Sequence, residues 1–460
     1  MAPIDRFLEL DRHIVGDIYT SREVMDNLIA LCDDIGPRFA GTSEERKAAE
    51  FIAATLTRYG LKNAHLESYP IDGWVRGMAT MDIVEPVARP VSCISLPYSP
   101  AREVVAELVD VRAGTPGEYE DKRESLRGNL ALTSNRFHQK GPGRSIHRNE
   151  KYDRAVLAGA CGFIWVNEQP ARGPETGSLT SSPAPIPGVS ISFEDGELLL
   201  RLLERHRRVR VRLRTTDRNE PRVSQNVVAE LPGARQPDVL VVVGCHYDTH
   251  DIAPGAKDST SGIVVVLEVA RVLARYAAGE LGCTIRFVGF GCEEIGMVGS
   301  QRYVEAHERE LDQHRMVFNF DGAGAIEGRK AITLYGWPEL EPFFDSIRQP
   351  LGVSVQQFLY AYADSFTFFN QGVPTASLRG SGEPVARGFG HTIYDTVDKI
   401  GIASLREVSA IAARMALRVA TADEFPARRR SREWVEDVLK TDPSFEGYRF
   451  EQEVSKARST

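Results

Sequence analysis

Residues 241–262 read VVVGCHYDTHDIAPGAKDSTSG, and no other stretch constrains the chain as much. The β-branched run is a buried strand, and it ends on His246-Tyr247-Asp248. A loop containing Gly and Pro follows. Asp258 then opens a helical pattern over 259–276, with Ile263, Val266, Leu267, Ala270, Leu273 and Ala274 on one face. Strand, loop and helix in that order make one unit of an open α/β sheet, whose ligand crevice lies beyond the carboxyl ends of the strands. Imidazole and carboxylate delivered there are the donors that zinc takes.

Three further segments supply the same chemistry. Residues 287–294 read FVGFGCEE, 316–321 read MVFNFD, and 390–392 read GHT. Glu293, Glu294 and Asp321 lie at or just after apolar runs of strand character, and His391 lies in a loop. As neighbours in one parallel sheet, these runs bring His246, Asp258, Glu293, Glu294, Asp321 and His391 to one edge. Two imidazoles and several carboxylates exceed the needs of one tetrahedral zinc. The set suits two metals about 3.5–4 Å apart with a bridging carboxylate.

Each residue alone has a plainer use. Asp258 before Ser-Thr-Ser-Gly is a ready helix N-cap. Glu293 and Glu294 suit a helix start, where the dipole favours acids. Asp321 before Gly-Ala-Gly suits a turn. It is their joint order that points to a metal site.

That order (HxD, GAxDxxSG, EExGxxGS, NxD, HT) resembles the co-catalytic di-zinc aminopeptidase family. The family includes bacterial leucyl aminopeptidases and plasma glutamate carboxypeptidase-like enzymes. The resemblance covers about residues 20–70 and 220–420. It implies two zinc ions per chain, one held by His246 and Asp321 and the other by Glu294 and His391, with Asp258 bridging. It makes Glu293 the general base. Asp248 accepts the second ring N–H of His246 and fixes its tautomer. Residues 360–368, YAYADSFTF, resemble the family's Y-A-x-S-D-H-x-x-F and make Tyr360 a candidate oxyanion donor; Ala363 and Ser365 depart from the pattern. Some relatives carry a Tyr where this chain has Gly390. His250, Asp251, His307 and His314 fall outside the ligand set. Family members also show a non-proline cis peptide after the bridging Asp.

The implied activity is zinc-dependent removal of N-terminal residues from short peptides. A dipeptidase or carboxypeptidase of the same family is the alternative. A catalytically inactive binding protein on the same fold is a third reading, and the filled ligand positions count against it. The acidic crevice favours a substrate α-ammonium. Reading a substrate carboxylate instead needs a cation, and Lys257, Arg379 and Arg387 are the candidates.

The expected fold is α/β, a mostly parallel central sheet with helices on both faces, spanning 1–75 and 219–460. Between 76 and 218 short strand-like runs recur. Residues 208–214 alternate basic and aliphatic side chains as a half-buried strand does. Residues 153–162 and 186–192 resemble landmarks of the β-rich protease-associated domain inserted in many relatives. In the first segment, residues 21–35 have helical spacing, and Thr42 with Glu45 reads as a capping box opening a helix that stops at Gly60. A last helix is expected over about 403–422.

Composition excludes other classes. The chain has 460 residues, enough for more than one domain, and a net charge of −8 with no basic patch interleaved with aromatics, which excludes a nucleic-acid partner. No apolar run approaches the roughly 20 residues that span a bilayer. The N-terminal MAPIDRFLELDRHIV carries acids and lacks the apolar core of a signal peptide. The six cysteines are scattered without CxxC spacing and read as reduced thiols, so a cytoplasmic location is expected. The charged tail after Glu424 either wraps the surface or contacts a second copy, which leaves a homo-oligomer open.

Overall fold

The computed structural model describes residues 7–135, 146–326, 328–380 and 388–459. By compactness the chain forms two units. The first holds 1–70, 223–390 and 395–436; the second holds 71–222, 391–394 and 437–460. The chain thus divides near 70 and 222, where the sequence suggests 75 and 218. Residues 391–394 and the end of the tail group with the second unit, a pairing invisible to local periodicity.

The first unit is built on an eight-stranded sheet. Its centre is β1 (Gln236–His246), β2 (Cys283–Phe290), β3 (His314–Asn319) and β4 (Thr375–Gly380). The order is β2-β1-β3-β4, and these four run parallel. Arg218–Leu231 pairs antiparallel with β2, and Lys330–Leu334 antiparallel with β4. Val243 lies between Phe287 and Phe318, and His246 pairs with Phe290. The carboxyl ends of β1, β2 and β3 therefore share one edge, as expected. β2 is buried along its whole length, as a strand covered on both faces must be.

Helices cover both faces. On one, Val242, Val288 and Val317 pack with Tyr303, Val304 and Phe368, each buried apolar side chain contributing roughly 1.5–3 kcal/mol. On the other lie α1 (Ser43–Arg58), α2 (Ser261–Tyr276) and α3 (Ile402–Thr421). The single apolar face expected of α2 is too narrow a description. Every residue from Ser261 to Ala270 is buried, because α2 is packed between the sheet and the helices Leu8–Thr20, Glu23–Ile29 and α3. Gly262 permits the close approach: a Cβ there would sit 2.3 Å from the Phe320 carbonyl oxygen. The 21–35 pattern becomes Glu23–Ile29 plus a wider turn, Ala30–Ile35, that stops at Gly36 with φ +86°. Thr42 caps α1 by accepting from Glu45 N at 3.2 Å. The Glu45 carboxylate reaches back to Gly41 N at 2.7 Å, not to Thr42 N, so half the capping box is shifted by one residue.

The second unit has its own eight-stranded sheet. Arg102–Asp110, Leu130–Ser134, Gly162–Val166 and Gly188–Ile191 run parallel, with helices Pro116–Leu126, Arg148–Leu157 and Phe193–His206 between or after them. Arg210–Thr215 alternates exposed and buried residues as its sequence requires. The tail helix Glu446–Ser459 packs on Arg148–Leu157; Arg458 pairs with Asp153 at 2.7 Å, and Arg154 sits 3.9 Å from the Phe450 ring centroid. Among the described residues no helix is long and apolar enough to cross a membrane. All six cysteines are free.

Candidate metal centre

β1 ends on His246, which is fully buried. Its Nδ1 lies 3.2 Å from the Asp248 carbonyl oxygen and 3.4 Å from Asp248 Oδ1. The ring is thereby turned so that Nε2 faces Asp321 Oδ1 at 3.3 Å and Asp258 Oδ1 at 3.5 Å. One donor atom from each of His246, Asp258 and Asp321 lies within 4.8 Å of the others, a cluster able to hold a cation. Burial lowers the His246 pKa, yet Glu293, Asp248, Asp258 and Asp321 together drive it well above the usual imidazole range. The pocket calls for positive charge at Nε2, and a divalent metal supplies there what a proton otherwise would. The residues present fit the metal.

The Asp248 carboxylate has a second task. Its two oxygens accept from Glu293 N at 3.0 Å and Glu294 N at 3.2 Å. This grip shapes the irregular turn that adjacent inward-facing acids require, and Cys292 enters it with a left-handed φ of +59°. Glu294 is buried, and its Oε2 is 2.9 Å from His250 Nε2. Glu293 has its carboxyl pushed far above the carboxylate range by burial and by Glu294, Asp321 and Asp364, against the pull of His246. Asp364 is buried and raised to about 7, chiefly by the same loss of solvent.

The Asp258–Ser259 peptide is cis, as the resemblance implies. Asp395 holds this loop: it accepts from Lys257 N at 2.7 Å and Asp258 N at 3.2 Å, and burial pushes its pKa up to about 6. Gly390 passes close by. A Cβ there would be 3.1 Å from Lys257 Nζ and 3.5 Å from Asp258 Oδ2.

His246, Asp258 and Asp321 thus converge as expected, with the Glu293–Glu294 turn tied to the same Asp248. Tyr360 lines a cavity of about 590 Å³ together with Asp258 and Asp321. His391 belongs by compactness to the second unit, where its carbonyl accepts from Thr176 N at 2.8 Å. Sequence reasoning missed three groups. His250, set aside as a non-ligand, lies against Glu294; its place four residues after His246 was the only signal. Asp364 matches the Asp of the Y-A-x-S-D-H-x-x-F pattern but was given no role, and Asp395 gave no signal, being a buried acid whose partners lie far away in sequence.

The model of peptidase family M28 matches residues 226–416, and that of the PA domain matches 103–199. Residues 226–416 carry a peptidase family M28 domain. The chain is 30% identical over 323 residues to aminopeptidase YwaD of Bacillus subtilis (strain 168), a match that covers 69% of the chain and 65% of YwaD. It is 26% identical over 422 residues to carboxypeptidase Q of Mus musculus, 88% of the chain and 87% of that protein. The solved peptidase M28 precursor from Shewanella amazonensis SB2B superposes with a TM-score of 0.78 at 26% identity, over 92% of this chain and 98% of that one. The M28 match spans every proposed ligand and the base, and the PA match falls within the second unit.

Proposed function

We propose that this chain is a zinc-dependent exopeptidase of aminopeptidase type, acting on short peptides. The observation that carries this is the convergence of His246, Asp258 and Asp321 at the sheet edge, with Glu293 and Glu294 held by the residue that orients His246. His246 and Asp321 would hold one zinc and Asp258 would be shared with a second; on the strength of the family pattern Glu294 and His391 would complete the set. Bound zinc supplies Lewis-acid polarisation of the scissile carbonyl and lowers the pKa of a water towards about 7.

The chain's own residues do the rest. Glu293 takes a proton from the attacking water as the C–O bond forms. It returns that proton to the leaving amine as the C–N bond breaks. Its raised pKa suits it to hold the proton between the two events, and positive charge bound beside it brings the value back towards the working pH. Asp248 accepts from His246 Nδ1, which leaves Nε2 for metal, and holds Glu293 in place through the same carboxylate. Tyr360 lines the same cavity as Asp258 and Asp321 and is the candidate donor of a phenolic O–H to the developing oxyanion. A carboxylate not engaged by metal is a partner for the substrate α-ammonium.

Two measurements test the reading. Elemental analysis of the purified protein should find close to two zinc ions per chain, with activity on Leu-anilide abolished by a chelator and restored by zinc. A fully active metal-free protein would refute it. N-acetylation of a good dipeptide substrate should abolish cleavage; undiminished hydrolysis of the acetylated peptide would exclude aminopeptidase action.

A further inference from the structure

The cavity beside the metal centre has two poles. One wall carries Asp258 and Asp321, and the opposite chemistry comes from Phe358, Tyr360 and Arg379. Its volume of about 590 Å³ is that of a small-molecule site. Phe358 and Tyr360 are 39% and 42% exposed, so the wall offers aromatic surface to whatever enters. The Arg379 guanidinium lies over it, 4.2 Å from the Phe358 ring centroid and 5.8 Å from that of Tyr360. Stacking of this kind fixes a guanidinium without consuming its N–H donors. Among the described residues no carboxylate lies within ion-pair distance of Arg379, and the residue as a whole is exposed, although its guanidinium has lost part of its solvent.

Strand register places it. β3 and β4 pair in parallel up to Asn319 and Ser377, and Asp321 and Arg379 each lie two positions further on. Both residues therefore follow the paired segment at the same end of the sheet, and both line the cavity. Lys257 also lines the cavity, but its ammonium lies on the Gly390 side close to Asp258. Arg387 lies outside the described residues.

We propose that Arg379 is the anchor for a substrate carboxylate, making the cavity a site for short peptides that present an ammonium at the acidic pole and a carboxylate at the aromatic wall. This rests on the exopeptidase reading above and narrows its substrates. A carboxylate entering a crevice lined by acids is repelled unless a cation receives it, and a guanidinium fork receives it with two parallel hydrogen bonds. The carboxylate is either the peptide C-terminus or an acidic side chain one residue from the scissile bond.

The test compares Leu-Gly, Leu-Gly-amide, Leu-Glu-amide and Leu-anilide on the zinc-loaded wild type and on Arg379→Gln and Arg379→Lys. Wild type should favour Leu-Gly over its amide by about 10–100-fold in kcat/KM, the range of a charge-assisted hydrogen bond. Arg379→Gln should lose that preference through KM while cleaving Leu-anilide within about threefold of wild type, and Arg379→Lys should recover part of it. Preference for Leu-Glu-amide over Leu-Gly-amide, lost in Arg379→Gln, assigns the anchor to a side-chain carboxylate; its absence assigns it to the C-terminus. Equal cleavage of Leu-Gly and both amides, or equal loss on all substrates, overturns the proposal. Calorimetric titration of Glu293→Gln protein with Leu-Gly and its amide separates this from the exopeptidase reading. Discriminating binding with no turnover by wild type would sink the exopeptidase reading and leave the anchor standing; equal binding would overturn the anchor.

Discussion

Glu293→Gln should lower kcat by about 10²–10⁴-fold, the usual worth of a positioned general base, while the protein keeps its full zinc content. The amide preserves shape and cannot accept the water's proton. The backbone N–H of residue 293 still bonds to Asp248, so the turn survives. Glu294→Ala should behave differently: one zinc per chain is lost, because the buried carboxylate beside His250 is the proposed ligand. Kinetics and elemental analysis on the two variants separate the roles. Near-normal kcat in Glu293→Gln would mean that base and ligand have been assigned the wrong way round.

Arg38→Ala should cost about 3–5 kcal/mol of stability, among the largest effects open to a single substitution away from the metal. Arg38 is fully buried, and loss of solvent lowers its pKa. Its guanidinium donates to the Tyr247 carbonyl at 2.9 Å, the Leu31 carbonyl at 2.8 Å, the Gly36 carbonyl at 2.7 Å and Thr260 Oγ1 at 2.5 Å. Truncation leaves these acceptors without their donors, and an unsatisfied buried group costs about 1–3 kcal/mol. The same atoms tie the 31–38 turn to both sides of the metal centre, since Tyr247 follows His246 and Thr260 follows the Asp258–Ser259 peptide. Activity should therefore fall along with stability. Arg38→Lys keeps the charge but not the fork and should recover only part of the loss. Denaturant unfolding is the measurement; an alanine variant within about 1 kcal/mol of wild type would show that the network carries no net stability.

Much of this was legible in the chain itself. The apolar runs at 241–245 and 287–290 became parallel central strands because continuous apolar sequence suits strands covered on both faces. Alternation at 210–215 became a half-buried strand for the equally local reason that side chains reverse face at every residue. His246 and Asp321 were legible because they stand at or just after the end of such a strand, and Asp258 because it precedes the next helix, all at the one edge that the topology leaves to share. The boundary between the units was less so. A helix face reports that something covers it, not which partner does, and the tail helix that packs on Arg148–Leu157 has a pattern that would serve many partners.

Sequence by itself determined the sheet edge, the donor types delivered to it and the family pattern they follow. Tertiary structure alone decided how those donors are held. Asp248 grips the backbone of Glu293 and Glu294 across 45 and 46 residues, Asp395 secures Lys257 and Asp258 across 138 and 137, and Arg379 joins the Asp258 cavity through strand pairing with a segment far upstream. Such contacts leave no periodic trace, because side-chain periodicity encodes which way a residue faces within its own element and carries no information about what arrives there from elsewhere.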